Sequence, residues 1–192
     1  VLKNASSFLL RDAHHATQDN FCWCYIVRSN WGWRNCMEDA YVLQLLEPKF
    51  KEFHLLFCGY AECEPLHSYG PATRPNYIIH YVMGGKGIYQ VGEKKYHISK
   101  GQIFLIEPES LTFYQADKEE PWTYLWVGFG GTEAKSFIQD VGLNSRQLVC
   151  QCEGGEELKE IVFSMLKHTK STTENLYYLQ GRLFDFFSVL AR

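Results

Sequence analysis

Apolar and polar positions change rhythm along this chain, and the changes mark out its elements. From Phe53 to Phe129, apolar residues come in short β-prone runs separated by turn signals. The runs "FHLLFCGY", "NYIIHYVM", "GIYQV", "KKYHI", "IFLIE", "LTFYQA" and "WTYLWVGF" are the predicted strands. Gly92-Glu93, a two-residue link with glycine first, predicts a type II′ hairpin between the third and fourth runs. "GGKG", "SKGQ" and Pro108-Glu109 supply further turns. Strands this short and close, with no helical segment between them, predict an antiparallel barrel or sandwich.

Beyond Phe129 the spacing becomes helical. Ala134, Phe137, Ile138 and Val141 fall at i, i+3, i+4 and i+7, with Thr132 as the predicted N-cap and Gly142 just past the end. Leu158, Ile161, Val162, Met165 and Leu166 repeat that spacing, with Glu156 and Glu157 in the first turn, where the helix dipole favours acids. Ser171 and Glu174 form a capping-box pattern. After it, Leu176, Leu179, Leu183, Phe186 and Leu190 alternate steps of three and four, a short heptad seam suited to helix-on-helix packing. Such a seam either meets a partner helix or covers the barrel. Residues 1–36 show neither period. They are read as an extension outside the native fold, with translation starting at Met37. The expected organisation is therefore an extension over 1–36, a barrel with an N-terminal arm over 37–130, and a helical segment over 131–192.

Composition narrows the class. The 192 residues suffice for one domain, or one domain plus a small helical partner. Aromatic residues make up 16% of the chain, an excess that fits either a ring-lined barrel or simply a β-rich core. The net charge of -3, with no basic stripe, leaves no electrostatic footprint for DNA on this segment. Cys22, Cys24, Cys36, Cys58, Cys63, Cys150 and Cys152 are odd in number and contain no C-x-x-C pair. With no signal-peptide pattern in residues 1–36, a reduced, cytoplasmic protein is expected. No run approaches the ~20 apolar residues of a membrane span. His14 and His15 with Cys22 and Cys24 match no metal-ligand spacing.

The β region has the outline of a cupin barrel, in which glycines separate strands and "HISKGQIFLIEPES" runs strand, tight turn, strand, proline turn. Metal-dependent cupins hold their ion with several histidines and a glutamate. Here only His67 stands near the first cluster, Tyr69 follows two residues on, and Leu111 to Tyr114 contain no histidine. A metal needs three or four convergent ligands. No metal, cofactor or catalytic residue is therefore predicted, and the chain is not expected to be an enzyme.

The ordered segments "H-x-Y-G-P-x-x-R", "G-K-G", "G-Q-x-F-L-I-x-P", "Y-Q-A-D" and "P-W-x-Y-x-W-V-G-F-x-G" carry a more specific likeness. Over roughly residues 53 to 192 the chain resembles the effector-binding domain of AraC/XylS transcription regulators, nearest the branch for oligosaccharide and α-galactoside utilisation. The resemblance implies a jelly-roll-type, cupin-like antiparallel barrel that binds effector, followed by a helical dimerisation segment. DNA would be read by a helix-turn-helix module beyond Arg192, absent from this chain.

It also implies a sugar site. Tyr114 and Trp126 match sugar-contacting positions of the arabinose-sensing member. Tyr124 replaces a histidine on the last strand, and Arg74 is an approximate match for an arginine before the second strand. Trp126 offers a face to apolar C–H groups, Arg74 and His67 can bond hydroxyls, and Tyr69 and the other tyrosines can do both. His80 is a site candidate, although its place in an apolar strand favours a core histidine over a ligand contact. Trp122, Tyr124 and Trp126 share one strand face and could be core packing, while Arg74 could pair with Asp117 at the surface. A homodimer through Leu176, Leu179, Leu183, Phe186 and Leu190 is implied. The alternatives are a metal-independent cupin enzyme acting on a sugar and a regulator with a non-sugar effector.

Overall fold

The computed structural model describes residues 22–27, 39–45 and 48–192, in which eleven strands and three helices are found. The larger sheet runs β1 (Cys22–Val27), β2 (Asp39–Leu45), β3 (His54–Glu62), β10 (Thr123–Gly130), β5 (Tyr77–Gly84), β8 (Gln102–Ile106), β11 (Val149–Gln151). The smaller runs β4 (Ser68–Ala72), β9 (Thr112–Ala116), β6 (Lys86–Val91), β7 (Lys94–Ser99). From β3 to β10 every connection but β6–β7 crosses from one sheet to the other, and all strand pairs are antiparallel. This is the jelly-roll, cupin-like arrangement expected, with a core enclosed between the sheets.

Turn chemistry sets the connections. Gly92, at φ 56, opens the two-residue β6–β7 hairpin between Val91 and Lys94, as a type II′ turn requires. Gly85, at φ 69, turns the chain from β5 into β6; a Cβ there would stand 2.2 Å from the Pro121 carbonyl oxygen.

All seven predicted strands are present, and four others were not predicted. β4 carries Gly70-Pro71, which reads as a turn, and β11 has only three residues paired to β8. β2 lies in the segment expected to be an arm, yet it pairs along β3 with Leu43 fully buried. Cys22–Val27, read as part of an extension without structure, forms an antiparallel strand on β2. His14, His15 and Met37 lie outside the described residues.

The helices cover the outer face of the larger sheet. α1 (Ala134–Asp140) stacks Phe137 on Phe53 at 4.0 Å. α2 (Gly155–Leu166) and α3 (Thr173–Leu190) pack together and onto β3, with α2 also touching β2 and β10. Phe163 meets Tyr60, and Phe187 meets Phe129 edge-on at 5.0 Å. The buried Gln180 amide donates to the Phe53 carbonyl at 3.0 Å, pinning α3 to the start of β3.

Two caps shift by one residue. Thr132 and Glu133 donate their backbone N–H groups to Lys51 and Glu52, so α1 starts from Glu133 rather than from Thr132. Thr172, not Ser171, caps α3, its hydroxyl accepting from the Asn175 N–H at 3.2 Å.

The heptad seam faces inward. Leu179, Leu183 and Phe186 are buried within their own chain, Leu183 completely, while Leu176 and Leu190 are half-buried. Of the five residues expected to form a dimer interface, these three are packed within their own chain, and Leu176 and Leu190 keep part of their surface. The outward face of α3 instead carries Tyr177 and Phe184, 57% and 46% exposed, with Gly181 between them.

A candidate ligand site between two rows of rings

Strand register brings the candidate residues together. In the larger sheet His80 lies opposite Trp126 on one side and Phe104 on the other, and Trp126 lies opposite Gly59. In the smaller sheet Tyr114 lies opposite both Tyr69 and Tyr89, and Tyr89 opposite Tyr96. Two cross-strand rows of rings therefore face each other across the barrel interior. His80 stacks on Phe104 at 4.5 Å and lies 5.3 Å from Tyr114. Phe104 reaches Tyr89 at 4.8 Å, and Tyr124 stands edge-on to His80 at 5.2 Å.

Glycine makes room for the row. A Cβ at Gly59 would sit 2.2 Å from the Trp126 indole, so only glycine opposite Trp126 lets that ring lie across β3. Gly87 does the same for Trp122, whose ring would be 2.4 Å from a Cβ there.

The site is electrically quiet inside and cationic at its edge. His80 is 3% exposed, and burial, with Arg74 as a smaller cause, pushes its imidazole down to about 3. It is therefore neutral at ordinary pH, with one nitrogen to donate and one to accept. Arg74 lays its guanidinium over the half-buried Tyr69 ring at 4.0 Å, and Tyr69 stacks on Tyr114 at 5.6 Å. A ring-to-ring path thus runs from the surface cation to His80. Asp117 accepts from the backbone N–H groups of Glu119 and Glu120, so it caps its own turn instead of pairing with Arg74. Tyr89 donates its hydroxyl to the Leu105 carbonyl at 2.6 Å, and burial raises its pKa.

Tyr69, His80, Tyr114, Tyr124 and Trp126 converge on this interior, with Arg74 at its edge. His67 stands at the entry to β4, two residues out of register with the tyrosine row, its carbonyl accepting from Ala116. Phe104, Tyr89 and Trp122 complete this packed cluster of rings and were not singled out as site residues. Alternation along each strand was readable for them, but the order in which strands pair was not. Among the described residues, three buried side-chain atoms have no hydrogen-bond partner: His80 Nδ1, Trp122 Nε1 and, elsewhere, His54 Nδ1. Flat apolar faces interspersed with neutral donors and acceptors suit a ligand that alternates C–H surface with polar groups.

Comparison with known proteins places this architecture in a family. The model of the AraC-like ligand binding domain matches residues 54–171. The Msm operon regulatory protein of Streptococcus mutans is 31% identical over 134 residues, which are 69% of this chain and 48% of that protein. The raffinose operon transcriptional regulatory protein RafR of Pediococcus pentosaceus is 38% identical over 86 residues, 44% of this chain and 31% of that protein. The chain thus spans about half the length of the first relative and less of the second. Among solved structures, a Cupin 2 conserved barrel domain protein from Salinispora arenicola aligns with a TM-score of 0.41 at 15% identity, over 60% of this chain and 89% of that one. The matched span begins at the first residue of β3, runs past the end of α2 and takes in both rows of rings, so the chain belongs to the AraC-like ligand-binding domain family.

Proposed function

We propose that this chain is the effector-sensing part of a transcription regulator, and that it binds a small saccharide between the two sheets. The observation that carries the reading is the pair of facing ring rows, with neutral His80 among them and Arg74 at the edge. Pyranose rings present apolar C–H faces to aromatic rings and hydroxyls to neutral donors and acceptors, which is what this interior offers. The regulator relatives support the same direction: one is named for the raffinose operon. Binding would act by population shift, the occupied barrel favouring one arrangement of the elements packed on it. DNA contact belongs to a module outside this chain, and the setting is the cytoplasm.

We further infer that the chain pairs with a second copy through the outward face of α3. Tyr177, Gly181 and Phe184 lie there at helical spacing, and among the described residues nothing beyond the helix's own backbone comes within 4 Å of a Cβ built on Gly181. Mid-helix glycine costs about 1 kcal/mol relative to alanine, a loss that close approach of a partner helix would offset.

A thermal-shift screen against monosaccharides and α-linked oligosaccharides tests the central reading. A ligand at 100 times its dissociation constant adds about 2.7 kcal/mol of stability. A selective rise that disappears in Trp126→Ala is expected. No rise with any saccharide sinks the proposal, and turnover of one would favour an enzyme instead.

A further inference from the structure

Two of the unpartnered buried atoms belong to one neighbourhood. His80 Nδ1 and Trp122 Nε1 are both sealed from solvent without a hydrogen-bond partner, in residues 3% and 0% exposed. Their rings share three neighbours. Phe104, Tyr114 and Tyr124 lie 4.5, 5.3 and 5.2 Å from His80, and 5.9, 6.3 and 5.8 Å from Trp122. Native proteins pair the great majority of such atoms, so two orphans around one set of rings call for an explanation.

Trp122 is also held firmly in place. Its indole lies against the backbone of Gly87, and its carbonyl accepts from the Cys63 N–H at 3.2 Å. The ring cannot swing out to water without dismantling the β6 side of the barrel. An indole N–H only donates, so the missing partner is an acceptor. Nothing charged is needed to meet it: the surrounding rings are apolar or phenolic, and His80 is neutral.

We propose that Trp122 is a specificity-determining residue of the saccharide site, its indole N–H donating to an oxygen of the bound ligand while His80 bonds a hydroxyl nearby. This rests on the saccharide reading and sharpens it. Trp126 supplies surface that any sugar ring can use, whereas Trp122 demands an oxygen at one position. A site built around a buried donor rejects an analogue lacking the matching oxygen far more strongly than an apolar face does.

The test replaces the Trp122 indole by its benzothiophene isostere, which keeps both rings and removes only the N–H. In the ligand-free chain the unfolding midpoint is expected to stay level or rise, because no bond is lost. A fall overturns the proposal, since it shows that the N–H already has a partner in the empty protein. Calorimetric titration with galactose, melibiose and raffinose is read beside it. The wild-type chain is expected to bind at least one of these, and the isostere to bind it about tenfold more weakly or worse. Trp122→Phe should show a loss at least as large. Equal affinities overturn the role of Trp122 and leave the saccharide reading standing. A wild-type chain that binds none of the three, nor any saccharide of the wider screen, overturns both.

Discussion

His80 stays neutral in the folded chain because burial, with Arg74 added, holds its imidazole at about 3, whereas the unfolded chain restores the ordinary value of 6.5. Between those values the unfolded state binds a proton that the folded state refuses. Stability therefore rises with pH through this window, is complete above about 6.5, and drains away as pH falls toward 3. The accumulated effect is on the order of a few kcal/mol. Denaturant titrations from pH 7 to pH 4 are expected to show this slope in the wild type and a flatter one in His80→Leu; equal slopes would refute the assignment. The sequence marks His80 as a histidine in an apolar strand and places Tyr124 and Trp126 on one face of another. It does not reveal that Trp126, His80 and Phe104 form a single row, because their strands are remote in the chain and meet only through register. Nor does it show Arg74 settling on Tyr69, a contact made by the geometry of β4 and the loop after it.

At the scale of elements, α3 separates two roles that periodicity cannot tell apart. Leu183 and Phe184 are adjacent, yet one is fully buried and the other 46% exposed. Leu183→Asp places an unpaired charge in the core and should unfold the chain, with a loss above about 4 kcal/mol, whatever its oligomeric state. Phe184→Asp gives up ring contacts with Phe53 and Phe137 and should lower the unfolding midpoint less than Leu183→Asp does, leaving circular dichroism near wild type while halving the mass found by light scattering. A dimer that survives Phe184→Asp would move the interface off this face. The heptad steps were legible because helix packing of either kind needs them; which way the stripe faces depends on the sheet beneath. Strand legibility followed a similar line. Long apolar runs such as "NYIIHYVM" announce β5, but "SYGPA" reads as a turn, and its pairing with β9 comes from tertiary context. β11, at three residues, is recruited by the edge of β8 rather than by any propensity of its own.

For the molecule as a whole, the larger sheet is sandwiched: rings of the interior on one side, helices on the other. Phe129, Leu55 and Tyr60 face α2 and α3 or pack with the core beneath them. A chain ending at Glu153 should therefore expose a broad apolar face. Size-exclusion chromatography is expected to find it aggregated, or bound to a hydrophobic dye, where the full chain is neither; a well-behaved short chain would show that the barrel closes without its helical cover. The alternation of strands between sheets has a kinetic counterpart. β6–β7 is the one hairpin between β3 and β10, and β10, at the centre of the larger sheet, joins partners made far earlier in the chain. Contacts so distant in sequence close slowly, on the order of milliseconds to seconds. On a ribosome, β3 and β5 must therefore wait, edges unpaired, until β10 emerges between them, and the interval in which this protein is most open to misassembly is set by translation rather than by its final stability.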